Sequence, residues 1–310
     1  MRDGASSFGL WCWQLGWIAW PLLALLLWRL WRWRRHGWAG RAGILLVLAA
    51  MLCFIDARFV EPAMVTVRKT TLQVPIRSAA NIALISDLHV GRFKDQRFLQ
   101  RVVDELNAMP VDAVLIAGDF YGEYDGRPLA ELLAPLKGLR HPAYAVPGNH
   151  DEGPPDGRPV MAELGAALRA LGVRPLQGAH ADLGAVTLVG LGDRWAGHHG
   201  LEPLRSAPRG KPALVLMHNP DSAMQLRPGE AVLALAGHTH GGQLRIPGLY
   251  RRAIPCEHPF DRGLHTFGPV PVFVTSGLGE TAVPLRWMNP PVIDLLRLRS
   301  PGSTMPDDID

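Results

Sequence analysis

Hydrophobic positions along this 310-residue chain change character near residue 60. Before that point they run unbroken. Phe8 to Trp28 is 21 residues without a charge, long enough to cross a hydrocarbon core of about 30 Å as a helix. Trp11, Trp13, Trp17, Trp20 and Trp28 suit interfacial anchoring, and Pro21 kinks such a helix without forbidding it. A signal peptide would have a basic start, a shorter apolar core and a small-residue cleavage site. Here only Arg2 precedes the core with positive charge, and an arginine-rich run follows it. Ala42 to Ile55 is a second apolar run, of 14 residues. By length it fits either a short span or an interfacial segment. It lacks the polar face that a surface-lying helix presents, which favours a hairpin of two spans.

After residue 60 the apolar residues come in short bursts with two periods. Val65–Val74, Asn81–Ser86, Asp112–Ala117, Ala143–Val146, Ala185–Leu191, Ala213–Met217, Ala231–Ala236, Val270–Ser276 and Val292–Leu298 read as strands. Asp95–Met109 reads as a helix, with Asp95 as its N-cap and Phe98, Leu99, Val102, Val103 and Leu106 on one face. Pro128–Leu139 and Val160–Leu171 read as further helices, the first liable to a break at Pro135. Strands alternating with helices predict an α/β layered domain. The expected organisation is a membrane anchor over 1–60, a soluble domain over 61–299 and a polar, disordered tail over 300–310.

Charge sharpens that division. Residues 1–60 hold eight of the ten tryptophans and seven Arg against two Asp, a net +5. The whole chain is +4, so residues 61–310 carry about −1. A basic face for nucleic acid is therefore not expected on the main domain. Arg29, Arg32, Arg34, Arg35 and Arg41 read as a membrane flank on the cytoplasmic side. If both apolar segments span, the main domain lies outside the cytoplasm; if only the first does, it lies inside. Cys12, Cys53 and Cys256 form no disulfide framework or thiolate metal motif.

Candidate chemistry sits where the bursts end. Asp87 and His89, Asp119, Asn149 and His150, His218, and His238 and His240 each follow an apolar run. In open α/β sheets, ligands gather at the carboxyl ends of strands. Oxygen and imidazole donors without sulfur suit manganese, iron or zinc. They exceed what one ion needs, and two ions sharing a carboxylate would use them all, a pattern that suits displacement at phosphorus.

Asp87-Leu88-His89, Gly118-Asp119, Gly148-Asn149-His150-Asp151, His218 and Gly237-His238-Thr239-His240 resemble, in order, the motif set of the calcineurin-like metallophosphoesterase superfamily. Gly241-Gly242-Gln243, Ser276-Gly277-Leu278-Gly279, Pro284-Leu285-Arg286 and Asn289-Pro290-Pro291 further resemble a bacterial, membrane-associated phosphodiesterase or UDP-diacylglucosamine pyrophosphatase-like subgroup. That subgroup usually has an acidic residue after the last proline, where Val292 stands here. The resemblance implies an αββα sandwich of two mixed sheets. It implies one metal held by Asp87, His89, Asp119 and His240, and a second held by Asp119, Asn149, His218 and His238. Manganese is the first expectation, with iron or zinc as alternatives. His150 would be the catalytic residue facing the phosphate, and hydrolysis of a phosphodiester or pyrophosphate by metal-activated hydroxide the reaction. The expected partners are a phosphorylated small-molecule or lipid substrate and the bacterial inner membrane, with the domain periplasmic on the hairpin reading. A cytoplasmic domain would point to a UDP-2,3-diacylglucosamine-type pyrophosphatase. A non-catalytic metal-binding scaffold would predict a broken ligand set.

Other polar residues keep two readings each. Asp151 orients His150 or caps its loop. Asp193 supports a ligating histidine or makes a turn. Arg92 and Arg286 meet phosphate or solvent. His198 and His199 line the cleft or lie on the surface, where His141, His180, His258 and His265 are expected.

Overall fold

A computed structural model of the chain describes residues 21, 23–32, 37–123, 126–153 and 160–302. Two mixed sheets of six strands each face one another. The first runs β1 (Thr66–Gln73), β12 (Val292–Arg299), β2 (Ala80–Ile85), β3 (Ala113–Ala117), β4 (Ala143–Val146) and β5 (Val173–Pro175) across its width. The second runs β10 (Gly263–His265), β11 (Val272–Val274), β9 (Leu233–Ala236), β8 (Ala213–Leu216), β7 (Thr187–Gly190) and β6 (Ala179–Asp182). β2 to β5 are parallel, as are β7, β8, β9 and β11. β12 meets β2 antiparallel, and β6 and β10 are antiparallel edge strands.

The alternation of side chains builds the layers. Ile82 and Leu84 of β2, Leu115 of β3, Leu214 and Leu216 of β8, and Leu233 and Leu235 of β9 meet between the sheets. Ala83, Ile85, Val114 and Ile116 point the other way, onto α2 (Gln96–Ala108), α3 (Leu129–Leu132) and α5 (Val160–Ala170). Val215, Ala234 and Val274 pack outward under α6 (Glu202–Ser206) and the 220–225 turn. Both faces of each sheet are covered, which is why the central strands read as continuous apolar runs. This is the αββα sandwich implied by the resemblance.

Local chemistry sets the helix bounds. Asp95 caps α2 by accepting from the Phe98 amide at 2.9 Å. The helix expected over 128–139 stops at Leu132 and continues as a 3₁₀ turn, Ala134–Gly138, because Pro135 cannot donate into the helix. The expected strands are found, trimmed at their ends. β5, β6 and β10 were not expected, since three or four residues with polar members carry no period.

α1 (Gly37–Ile55) contains the second apolar run, and helical geometry continues to Ala63. This 27-residue run is long and apolar enough to cross a membrane. It is longer at both ends than the 14 residues the sequence suggested, since hydropathy alone does not register helix continuing through Trp38, Arg41 and Arg58. Most of Phe8–Trp28 lies outside the described residues, as does 303–310 of the expected tail. Residues 23–32 are helical, and a Cβ placed on Gly43 of α1 would lie 3.5 Å from Leu30.

Candidate metal centre

The carboxyl ends of β2, β3 and β4 in one sheet and β8 and β9 in the other open onto the same edge of the sandwich. The chain leaves these strands in an unusual way. Asp87, His89, Asp119, His238 and His240 all take positive φ, between 43° and 71°. Such conformations cost on the order of 1–3 kcal/mol each and persist only where surrounding contacts over-determine them. Those contacts are present. Gly118 accepts from the Asp87 amide at 2.9 Å, and the Asp119 carbonyl accepts from the His89 amide at 3.1 Å. Gly277 lies so close that a Cβ there would be 2.7 Å from that of Asp87. The left-handed turns reverse the strand-end side chains into one pocket.

One buried group has its donor atoms within 4.8 Å of each other: Asp87, His89, Asp119 and His240. His89 Nε2 lies 3.2 Å from His240 Nε2 and 3.5 Å from Asp119 Oδ2, and His240 Nε2 lies 3.4 Å from Asp87 Oδ1. A second group adjoins it. His218 Nε2 is 3.2 Å from the same Asp119 oxygen, 3.1 Å from Asn149 Oδ1 and 3.2 Å from His238 Nδ1. The structure thus gathers all seven residues expected as ligands, with Asp119 facing both groups.

The histidine ring nitrogens show what the pocket fits. A carbonyl can only accept, so a ring nitrogen bonded to one carries the hydrogen. His89 Nδ1 meets the Tyr121 carbonyl at 3.2 Å, His240 Nδ1 meets Gly279 at 3.2 Å, His218 Nδ1 meets Ala117 at 2.7 Å and His238 Nε2 meets Pro255 at 3.1 Å. Each imidazole is therefore fastened from behind and turns its other nitrogen inward, as metal-ligating histidines are held. Burial pushes His89 down to about 3, Asp119 only partly opposing, and drives His240 well below its ordinary value. With both Nδ1 atoms given to carbonyls, the two Nε2 atoms turn toward each other across 3.2 Å. That arrangement fits a shared cation. His238 is likewise lowered to about 3 by burial and by His218. Burial opposes charge on His218 too, but the Asp119 and Asp87 carboxylates hold its proton up to about 10. The Asp87 carboxyl is pushed up to about 6 by burial, with Asp119 adding to that and His218 opposing it. The pocket attracts positive charge, and its oxygen and nitrogen donors suit a hard or borderline divalent ion.

His150 lies in the first turn of the short helix α4 (Asn149–Glu152) beside this group. Its backbone amide donates to Asp119 at 2.9 Å, its ring meets the His89 ring edge-on at 4.8 Å, and its Nε2 is 3.5 Å from the Thr281 hydroxyl. With Asp119, Asn149, Trp195 and His238 it lines a cleft of about 280 Å³. Asp151 is the loop cap, accepting from the Phe120, Tyr121 and Gly148 amides. Asp193 makes a turn, accepting from the Trp195 and Ala196 amides. Arg92 pairs with Glu123 at 3.7 Å, and His198, bonded to Glu152, stays outside the cleft lining, as does His199. Arg286 takes neither of its two expected roles. It is fully buried and donates to the Ser276, Gly279 and Asn289 carbonyls. It braces the carbonyl that orients His240, as Asn289 braces the His240 carbonyl itself at 2.6 Å.

Trp195 and Thr281 at the cleft were not expected from the sequence. One signal was available: Trp195 is one of two tryptophans beyond residue 60, and it stands in a glycine-rich loop.

A model of the calcineurin-like phosphoesterase family matches residues 80–242, which include every residue of both groups. The chain belongs to this family. A phosphodiesterase of Escherichia coli, YaeI, is 32% identical over 211 residues, covering 64% of this chain and 75% of that protein. An uncharacterised metallophosphoesterase of Helicobacter pylori is 32% identical over 227 residues, 70% of this chain and 59% of the relative. A transmembrane protein with a metallophosphoesterase domain from Danio rerio is 30% identical, over 66% of this chain and 50% of the relative. The chain thus spans little more than half the length of these last two relatives.

Proposed function

We propose that this calcineurin-like phosphoesterase is a membrane-anchored phosphodiesterase using two divalent ions, manganese first and iron or zinc as alternatives. Asp87, His89, Asp119 and His240 would hold one, and Asp119, Asn149, His218 and His238 the other. The observation that carries this is the single Asp119 oxygen lying 3.5 Å and 3.2 Å from imidazole nitrogens on its two sides. Such ions, when bound, supply Lewis acidity at phosphorus and lower the pKa of an attacking water. The chain's own groups do the rest. His150 faces the cleft with Nε2 free of any backbone tie and delivers a proton to the leaving oxygen, a task suited to imidazole. Thr281 sets the ring's direction. Trp195, edge-on to His238 at 4.7 Å, walls the cleft and excludes water from the leaving-group side. The name of the Escherichia coli relative supports the diester reading.

Residues 1–60 form the anchor, and 61–299 the catalytic domain. The Gly43–Leu30 proximity supports a hairpin, which with the cytoplasmic arginines puts the domain in the periplasm of a bacterial inner membrane. The test uses the full chain purified in detergent, assayed on bis-p-nitrophenyl phosphate and analysed for bound metal. Two equivalents of metal are expected. Asp119→Ala should lose metal from both positions and at least about 100-fold in rate, the upper end for changes to mere supporting partners. Unchanged rate or stoichiometry in that variant would sink the proposal.

A further inference from the structure

A strip of exposed apolar and basic residues joins the end of the membrane helix to the mouth of the cleft. The helix exit is fixed to the catalytic domain by buried polar contacts. The Ala57 carbonyl accepts from the Arg286 amide at 2.9 Å, the Glu61 carboxylate from the Met288 and Asn289 amides, and the Pro62 carbonyl from Lys94 Nζ at 2.5 Å. Residues 286–288 in turn pair with 243–245: the Trp287 carbonyl accepts from the Arg245 amide at 3.0 Å, and the Gln243 carbonyl from the Trp287 amide at 3.1 Å. The chain then turns through Ile246–Tyr250 and reaches Ala253 and Pro255, which line the cleft.

Along this path Phe59, Val60, Ile246, Leu249 and Met288 are each 43–57% exposed. Residues 241–256 contain three arginines and no acidic residue. Arg251 and Arg252 are exposed beside Leu249, and Arg58 lies over the Phe59 ring at 4.9 Å. Exposed apolar side chains rimmed by arginine form the composition that settles into a lipid headgroup layer. Arginine side chains on such a face are drawn to anionic headgroups.

We infer that this strip is a docking surface for the anionic headgroup region of the bilayer in which the anchor sits. The occupant is fixed by continuity, because the strip begins where the membrane helix ends. The bonds at Ala57, Glu61 and Pro62 leave no free linker through which the domain could turn away. Docking brings Ala253, Pro255 and the cleft mouth to the membrane surface. The substrate class that follows is a phosphodiester whose one alcohol carries acyl chains and stays in the bilayer. This rests on the membrane-anchored phosphodiesterase reading above.

The test places the full chain, with Cys12, Cys53 and Cys256 changed to serine, in nanodiscs containing phosphatidylglycerol. A nitroxide is attached at Leu249→Cys, and for comparison at Lys211→Cys, at the amino end of β8. Relaxation by oxygen and by a water-soluble nickel chelate is then measured. The expected result is strong oxygen and weak nickel relaxation at 249, and the reverse at 211. Nickel access at 249 equal to that at 211 overturns the docking surface while leaving the anchor intact. Failure of the full chain to enter nanodiscs removes the anchored reading and the surface with it. Shielding at 249 from both agents in chains that run as dimers marks a protein interface and likewise overturns the inference. For substrate class, Ile246→Asp with Leu249→Asp should lower the ratio of rates on a vesicle-borne lipid diester and on soluble bis-p-nitrophenyl phosphate at least tenfold. An unchanged ratio overturns that part.

Discussion

At the scale of single residues, the site depends on backbone that other side chains would block. Gly148 shows this most directly, because its φ of −116° is open to any residue and only contact matters. A Cβ there would sit 2.2 Å from Asp119 Oδ1 and 2.7 Å from the Asp119 amide. Gly148→Ala must therefore push the carboxylate that faces both donor groups. We expect bound metal to fall toward one equivalent and diester hydrolysis to drop at least about tenfold, since small misplacements at a reacting centre are costly. Metal analysis beside the assay checks this, and full stoichiometry with full rate would refute it. The donor residues themselves were legible in the sequence. Every residue gathered into the two groups follows an apolar run, because strand ends are where this architecture presents ligands. Arg286 and Asn289 were not legible in the same way. Their partners are the carbonyls of Gly279 and His240, and main-chain acceptors leave no trace in side-chain identity.

At the scale of elements, the central strands were readable because helices and the opposing sheet cover both their faces. Edge strands β5, β6 and β10 were not, since register with a neighbour defines them more than composition does. The exit of the helical run that ends at Ala63 was equally hidden, and it makes a titration prediction. Lys94 bonds the Pro62 carbonyl at that exit and pairs with Glu280 at 2.9 Å. Burial lowers its pKa to about 8 from 10.5, Glu280 opposing and Arg286 assisting. Between these values the unfolded chain binds the proton that the folded one has released, so this group's contribution to stability rises with pH across roughly 8 to 10.5. Below 8 both states are protonated, and the burial penalty is fully present. Comparing denaturation of wild type and Lys94→Met at pH 7.5 and 10 isolates the group. The stability of wild type relative to the variant should increase with pH, and a constant difference would exclude a depressed lysine at this joint.

At the scale of the whole molecule, metal held by the two donor groups, as proposed, would do more than serve the chemistry. Asp87, His89 and Asp119 follow strands of the first sheet, while His218, His238 and His240 follow strands of the second. A cation shared among them ties the sheets together at one edge of the sandwich, where the apolar layer gives way to polar side chains. Chelation removes that tie and leaves buried carboxylates and facing imidazole lone pairs without compensation. A ligand that binds only the folded state stabilises it by about 2.7 kcal/mol at a hundredfold excess over its Kd. For a domain of this size that corresponds to roughly 5–10 °C in Tm. We therefore expect chelated protein to melt lower by about this amount, with recovery on adding manganese. Asp119→Ala, which faces both groups, should melt at the same temperature with and without the chelator. Inter-sheet core variants such as Leu235→Ala should lose stability equally in both conditions, because Leu235 packs between the sheets and offers no donor atom to either group. If chelation left Tm unchanged in metal-loaded wild type, the tie between the sheets would have to lie in the protein's own hydrogen bonds.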